Sequence, residues 1–368
     1  MSPTILFVGG GSLGHVVPSM AVAEQIRCLH PSARMVFVCA KRADEMQMLE
    51  RAGHTFSVLR APPSSLSLAS LFFPIAFVRA CLCARKILQR EKPTVIFSKG
   101  GYVSVPMCVV AWLQKIPIVH HESDSVLSLS SRLISRLATV VCAGFPQTIW
   151  PEGVKRKVVV TGHPVRAEIA SGSVSAGQRI TGFSGRRSVV LIIGGSQGSV
   201  ALNQAVAKAL PSLLDLADII HLTGKGKMNA VHHARYFVRP SMSEELPHLY
   251  ALADIVVSRA GAGVLSELAV LQKAVLTVPL AGVAHDHQVC NAKILETKGA
   301  LELLPQERIH LLPEVLKNLL GHRKRLLALG KALHACFPVD AAKRIALLLL
   351  AEVQRARIES PPAPPPSS

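Results

Sequence analysis

Aromatic side chains are scarce in this 368-residue chain, at 4%. That leaves too few rings for base-stacking platforms on single-stranded nucleic acid to be a main theme. None of the eight cysteines (Cys28, Cys39, Cys81, Cys83, Cys108, Cys142, Cys290 and Cys336) forms a CxxC pair, and most sit in apolar runs. They read as buried, reduced thiols of a cytoplasmic protein. No apolar run reaches the ~18–20 residues that cross a bilayer. The nearest candidate, Leu66 to Ala84, is interrupted by Pro74 and Arg79. No secretory leader is expected either: TILFV at 4–8 runs straight into a glycine loop, without a basic n-region or a small-residue cleavage site. These absences predict a soluble or peripheral protein. Acidic residues are few, with 23 Asp and Glu against 41 Lys and Arg, for a formal net charge of +18. That balance predicts an anionic partner: nucleic acid, an anionic membrane surface or phosphorylated substrates.

What the chain has in quantity is apolar residues, at 49%, against only 17% charged. It can bury a large core, and its length suits about two domains. An internal echo supports two. Residues 4–26 (TILFVGGGSLGHVVPSMAVAEQI) and 188–210 (SVVLIIGGSQGSVALNQAVAKAL) each give a β-branched run, a Gly-rich turn and a helical pattern. A strand feeding a glycine loop and a helix opens a doubly wound α/β domain, so two Rossmann-like domains in tandem are expected. Further strands are predicted at Met35–Cys39, Thr94–Phe97, Ile116–His120 and Val140–Cys142, then at Ile219–Leu222, Ile255–Ser258 and Val275–Val278. Their alternation with helical segments predicts parallel sheets covered on both faces. The boundary is expected near Gly162–Arg166, and the Gly/Ser-rich stretch 171–187 reads as a loop. A helical segment, Ala341–Arg357, follows Pro338, and the tail SPPAPPPSS at 360–368 is expected to be disordered.

Candidate site residues cluster after the predicted strands. Gly9, Gly11 and Gly14 satisfy GxGxxG, a weak signal alone. Its physics is concrete, because backbone N–H groups at a helix start face an anion with the helix dipole behind them. GGSQG at 194–198 offers the same, with the Ser196 hydroxyl as an added donor. His15, in the first turn of its helix, is a candidate general base, since a helix N-terminus favours neutral imidazole. FSKGGYVSVP at 97–106 sets Lys99, Gly100, Gly101 and Tyr102 after a strand, as a third anion-facing loop or an ordinary turn. HHESD at 120–124 is expected at the carboxyl rim of the sheet, and without a DxD pair a metal site there is disfavoured. In SRAGAGVLSEL at 258–268, Glu267 lies one turn into a helix, where a carboxylate can take both hydroxyls of a ribose. Gln288 and Asn291 share one helix face. Residues 66–90 combine apolar groups with Arg79, Arg85, Lys86 and Arg90, which suits either an anionic bilayer surface or a core helix with a basic outer face.

Taken together, six blocks in order resemble the MurG family: GGGSLGHVVP at 9–18, SKGGYVSVP at 98–106, HESD at 121–124, GHPVR at 162–166, GGSQG with Asn203, and RAGAGVLSE to HQVCNA at 259–292. The resemblance covers nearly the whole chain. It implies a GT-B fold, with two Rossmann-like doubly wound domains facing across a cleft. It also implies an inverting, metal-independent transferase without a cofactor. Such an enzyme moves N-acetylglucosamine from UDP-N-acetylglucosamine to the 4-hydroxyl of the muramoyl sugar of lipid I, giving lipid II in peptidoglycan synthesis. The implied division is an acceptor and membrane domain at 1–163 with a returning helix at 341–358, a donor domain at 164–340, and a tail at 359–368. By the resemblance, His15 is the catalytic base. The donor lies on Ser12, Leu13, Gly14, Arg166, Ser196, Val238, Ala262, Gly263, Val264, Leu265, Ser266, Glu267 and Gln288, with Ser196 at the diphosphate, the Val238 backbone on uracil and Glu267 on the ribose. The acceptor lies on Lys99, Gly100, Gly101, Tyr102, His121, Glu122 and Asp124. The implied place is peripheral, on the cytoplasmic face of the bacterial inner membrane, with lipid I, an anionic lipid surface and other cell-wall synthesis proteins as partners and no nucleic acid.

The chain departs from the family pattern at Ser12 and Leu13 (GGSLGH for GGTGGH), at Leu127–Ser128, at Ser131 and at Val264. Three rival readings compete, the third being a nucleic-acid binder, which the +18 charge suggests but a charge spread along the chain without a recognised module disfavours. An oxidoreductase using the loop at 9–14 needs an acid about 20 residues on. Lys41 and Arg42 stand there, with Asp44 beyond, so only an NADP variant survives. A non-catalytic nucleotide-sugar-binding protein is the second rival.

Overall fold

The computed structural model describes residues 2–61, 73–195, 198–227, 231–282 and 286–359. Ser196 and the tail at 360–368 lie outside them, as does the start of the apolar run at 66–72. In the first half, strands β1 (Thr4–Val8), β2 (Arg34–Cys39), β3 (Phe56–Val58), β4 (Val95–Ser98), β5 (Ile118–Glu122), β6 (Val140–Ala143) and β7 (Val158–Val160) form one sheet. They alternate with α1 (Leu13–Leu29), α2 (Ala43–Arg51), α3 (Phe73–Glu91), α4 (Ser104–Leu113), α5 (Leu129–Leu137) and the single turn α6 (Glu152–Lys155). The sheet order is β3-β2-β1-β4-β5-β6-β7, with every pairing parallel.

The second half repeats the plan. Strands β8 (Val189–Ile193), β9 (Asp218–Leu222), β10 (Tyr236–Arg239), β11 (Ile255–Ser258), β12 (Ala274–Thr277) and β13 (Glu302–Leu303) run in the order β10-β9-β8-β11-β12-β13, again all parallel. Its helices are α7 (Val174–Thr181), α8 (Val200–Leu216), α9 (Leu246–Leu252), α10 (Ala262–Val270), α11 (His287–Glu296), α12 (Leu312–Leu320) and α13 (Arg323–Cys336). The last helix, α14 (Ala341–Glu359), returns to lie on α1 of the first half.

Burial explains why these residues form these strands. All five residues of β1 are buried. Leu6 and Val8 join the core on one face of the sheet, while Ile5 and Phe7 join Val22, Ile26, Ile345 and Leu349 on the other. A strand covered on both faces has no polar alternation, only a run such as TILFV. α1 is apolar around most of its circumference for a related reason: the sheet lies on one side and α14 on the other.

The stretch 171–187 is not the plain loop expected. It contains α7, with Ser173 accepting a cap hydrogen bond from the Ala176 N–H and Gly182 ending the helix in the left-handed region (φ 77°). Gly177 faces α9, where an added Cβ would lie 2.6 Å from the His248 carbonyl oxygen. The helix is weakly hydrophobic because one glycine face makes its contact.

In both sheets the first strand is central, and the order reverses beside it. The loops after β1 and β4, and those after β8 and β11, therefore open crevices at the carboxyl ends of the strands, where open α/β sheets bind ligands.

Candidate active site

The loops after β1 and β4 interlock. Gly9 approaches both His15 and Lys99: an added Cβ would lie 3.1 Å from the His15 Cβ and 3.2 Å from the Lys99 Cβ. Gly101 has φ +81°, and a Cβ there would lie 2.5 Å from the Gly10 carbonyl oxygen and 3.2 Å from His15 Cε1. Only glycine permits both the backbone conformation and this approach. Gly100 lies toward His120 and Ser131, and Tyr102 rests against Gly11. Ser12 is the N-cap residue of α1 but makes no side-chain cap bond. Its Oγ lies instead 3.3 Å from His15 Nδ1. Leu13 is the first residue of α1 and half-buried, and Gly14 is exposed beside Ser12. Desolvation, with the Lys99 charge added, holds the His15 imidazole down at about 3.

The expectation that the first glycine loop turns its N–H groups to an anion needs correction at Gly11. Its N–H donates to Glu45 Oε1 at 2.7 Å, and the other carboxylate oxygen accepts from the Ala40 N–H at 3.1 Å. Glu45 is fully buried, and burial raises its pKa. The loop already holds an internal carboxylate, which no sequence motif announced.

HHESD is likewise not simply a rim. β5 continues through Glu122, so His120 and His121 are ladder residues opposite Val141 and Cys142, both fully buried. His120 Nδ1 lies 3.1 Å from the Ser98 carbonyl and His121 Nε2 lies 2.9 Å from the Gly162 carbonyl. Both nitrogens are therefore donors, and each ring's other nitrogen is buried without a partner among the described residues. Desolvation keeps both neutral, His120 at about 3 and His121 well below the usual range. His163, 5.6 Å from His121 between ring centroids, is held down in the same way. Buried Lys99 donates to Ser123 Oγ and is the cation at the centre of this neutral cluster. Glu122 accepts from the Asp124 N–H, and burial next to Asp124 raises its pKa.

The second half supplies the opposing groups. Ala262, Gly263, Val264, Leu265, Ser266 and Glu267 are the first six residues of α10, capped by Gly261. Gly263 faces His163, whose Nε2 would lie 3.6 Å from an added Cβ. Glu267 Oε2 accepts from the Tyr250 hydroxyl at 2.9 Å. Burial raises the Glu267 pKa, while Tyr250 and the Arg166 charge oppose that rise. Arg166 Nε is buried without a hydrogen-bond partner among the described residues. Gln288, in the first turn of α11, accepts from the Leu280 N–H at 3.1 Å. Val238 stands apart on β10, the edge strand of its sheet. The Ile219 and Thr223 N–H groups donate to the Arg235 and Arg239 carbonyls. By the alternation of a parallel ladder, the Val238 backbone groups face the sheet edge, where its carbonyl accepts from Arg239 Nη1 at 2.8 Å.

Three residues outside the predicted set hold this half together. Arg259, 7% exposed, donates to the Val278 and Pro279 carbonyls, to Gln306 Oε1 and to Ser199 Oγ, which in turn caps α8. His221 bridges the Tyr236 hydroxyl and Asn203 Oδ1, and Asn203 donates to the Thr223 carbonyl beneath the second glycine loop. Tyr250 carried no motif, because its role depends on meeting Glu267 from another helix.

Known families and structures share this two-halved architecture. The glycosyltransferase family 28 N-terminal domain matches residues 5–143 and its C-terminal domain matches residues 189–345. A UDP-N-acetylglucosamine--N-acetylmuramyl-(pentapeptide) pyrophosphoryl-undecaprenol N-acetylglucosamine transferase of Clostridium botulinum is 35% identical, over 83% of this chain and 87% of its own. A Bacillus cereus transferase of the same name is also 35% identical, over 84% and 87%. The crystal structure of Acinetobacter baumannii MurG superposes with a TM-score of 0.73 at 25% identity, covering 95% of this chain and all of that one. A Staphylococcus aureus MnaA–UDP structure, at 12% identity and TM-score 0.72, shares the fold. The two parallel α/β halves are those of the GT-B fold, and the chain belongs to glycosyltransferase family 28, within its MurG group of N-acetylglucosamine transferases.

Proposed function

We propose that this chain is an inverting glycosyltransferase that moves N-acetylglucosamine from UDP-N-acetylglucosamine to the 4-hydroxyl of the muramoyl sugar of lipid I, giving lipid II. The observation that carries the mechanism is a neutral His15 wedged between two glycine loops of one half, with the α10 N-terminus, Arg166 and Glu267 on the other. With Nδ1–H donating to Ser12 Oγ, the Nε2 lone pair is left to take the proton of the acceptor hydroxyl. The freed oxygen attacks the anomeric carbon as the bond to UDP breaks on the opposite face. His15 keeps the proton, and UDP leaves with the electron pair. Charge building on that diphosphate is met by Arg166 and the α10 N-terminus. The acceptor's diphosphate is met by Lys99, a buried cation beside His121, Glu122 and Asp124. Residues 1–163 with the returning helix are assigned to the acceptor, and 164–340 to the donor.

The test is transfer of label from radiolabelled UDP-N-acetylglucosamine into a lipid I analogue. Incorporation is expected, and none with a folded, UDP-binding protein overturns the reading. The pH profile is a second check. With His15 at about 3, the base is unprotonated throughout the neutral range. Below about pH 6.5 the unfolded chain binds protons that His15, His120, His121 and His163 refuse in the folded state, so stability falls as pH falls. We expect kcat/KM to stay flat from pH 8 to about 5.5, with any loss below that tracking unfolding. An acid limb centred near the ordinary histidine value in a folded enzyme contradicts this.

The acceptor is a lipid, and α3, α4 and α5 pack side by side to offer a surface that suits one. Ile75, Val78 and Leu82 of α3, Trp112 and Leu113 of α4 and Leu129 of α5 are all more than half exposed. Exposed Arg79, Arg85, Lys86, Lys115, Arg132 and Arg136 rim them. Apolar groups ringed by cations match an anionic bilayer surface, and no described helix is long and apolar enough to cross a membrane. Replacing Trp112 and Leu113 together by glutamate is expected to weaken binding to anionic vesicles at least about 10-fold, given the ~1.5–3 kcal/mol for each buried large apolar side chain. Flotation with and without anionic lipid checks it, and undiminished binding rejects this surface.

A further inference from the structure

The sugar donor and the lipid acceptor are assigned to opposite halves, so the transfer needs the two sites held in register. One side chain makes that connection. Asn291 lies on α11, one turn beyond Gln288, and is fully buried. Its Oδ1 accepts from both the backbone N–H and the hydroxyl of Ser125, at 2.9 and 2.8 Å. Its Nδ2 donates to Asp124 Oδ1 at 2.8 Å and to the Ala260 carbonyl at 3.2 Å. A carboxamide has two acceptor and two donor positions, and all four are used. Three of the four bonds cross to the loop after β5 in the first half. The fourth holds the residue just before the α10 cap, where Glu267's helix begins. One amide thus ties the Asp124 loop, the start of α10 and the helix carrying Gln288.

We propose that Asn291 is a positioning residue that sets the acceptor loop in register with the donor site without touching either substrate. This rests on the transferase reading above. The chemistry demands an amide. Aspartate at 291 has no donor and would face the Asp124 carboxylate at hydrogen-bond distance. Alanine would strand the buried Ser125 N–H and free the Asp124 carboxylate to move. Because the Asp124 contact is a donor–acceptor pair, exchanging its two members restores that contact, aspartate at 291 accepting from an asparagine at 124; the bond to the Ala260 carbonyl is lost in both backgrounds and cancels in the comparison. Asp124→Asn alone leaves an amide facing an amide, which can still pair.

The experiment is a double-mutant cycle of Asn291→Asp and Asp124→Asn in the full chain. It reads kcat and the acceptor KM for transfer into a lipid I analogue, together with the dissociation constant for UDP-N-acetylglucosamine. Each variant is first shown to unfold at a temperature close to that of the wild type. Where Asn291→Asp fails that check, Asn291→Ser, which is small and uncharged, replaces it and is read for the same loss of kcat. We expect Asn291→Asp to lower kcat at least about 30-fold when Asp124 is present, and less than about 5-fold when residue 124 is asparagine, since coupling of this size is what directly contacting groups show. Donor affinity is expected to stay within about threefold, as only the relation between the sites has changed. Equal costs in the two backgrounds, or a loss confined to donor affinity, overturn the positioning role while leaving the transferase reading intact. A wild-type chain that transfers no sugar overturns the transferase reading and this inference with it.

Discussion

Replacing His15 by alanine is expected to lower transfer turnover about 100-fold or more, the usual effect of losing a general base, with UDP-sugar binding nearly unchanged. The two halves of that statement rest on different facts. The His15 Cβ lies against Gly9 and its ring against Gly101, with Nδ1 by Ser12 Oγ, so it stands in the half we assign to the acceptor. The donor contacts assigned to Arg166, Val238, Glu267 and Gln288 belong to other elements and do not depend on it, while those assigned to Ser12, Leu13 and Gly14 lie in its own loop and are the part of the donor site the variant can disturb. A wedge between two glycine loops also has a packing role, and alanine alone would confound the two. His15→Gln separates them: it fills much of the space and can still donate to Ser12, but it has no lone pair basic enough to take a proton. If the glutamine variant is as impaired as the alanine one while melting at the wild-type temperature, the loss is chemical. If it turns over near normally, His15 is a packing residue and the base lies elsewhere.

The same loop shows what a single sequence can and cannot convey. The strand, glycine turn and helix at 4–26 and at 188–210 were legible because local chemistry dictates them. A β-branched run buried on both faces needs no partner to be identified, and glycines mark where the chain must turn. Short strands were not legible. β3 has three half-buried residues and β13 only two, so neither carries a run or an alternation to find. α7 did carry a signal, a serine cap and a closing glycine, but its contact with α9 is made through Gly177 rather than an apolar stripe.

For the candidate site, the sequence offers residues that stand together in the chain, but not the pairings between distant ones. Glu45 reaches Gly11 across 34 positions, Tyr250 reaches Glu267 across 17, and Asn291 reaches Asp124 across 167. Each pairing exists because sheet order or the apposition of the two halves brings its members together. Asn291 was visible as a polar residue on the face of Gln288, but its partners lie in the other half. HHESD stands at the carboxyl end of its strand, as expected, but its two histidines are buried ladder residues. Strand length is set by the ladder with β6, and that pairing carries β5 two residues further than the predicted strand Ile116–His120.

Glu267 carries the second large prediction. Its carboxylate is assigned to the ribose hydroxyls of the donor, and one oxygen already accepts from Tyr250. Burial raises its pKa, so an ionised carboxylate in the empty site is costly and is relieved when ribose hydroxyls donate to it. Hydrogen bonds to a charged acceptor contribute about 1.5–3 kcal/mol each. Losing the carboxylate in Glu267→Ala is therefore expected to weaken donor binding at least about 30-fold, at about 1.4 kcal/mol per factor of ten. The ribose assignment makes a sharper claim than the size of the loss. UDP and UDP-N-acetylglucosamine share the ribose, so both should lose the same factor. A UDP analogue lacking the 2′- and 3′-hydroxyls should bind the wild type weakly and the variant no worse. If that analogue loses as much affinity as UDP does, Glu267 acts through α10 and Tyr250 rather than on the ribose. If binding of UDP is unchanged in the variant, the carboxylate belongs to the fold of the second half, and the base of the donor pocket must be sought on the Arg166 side of α10.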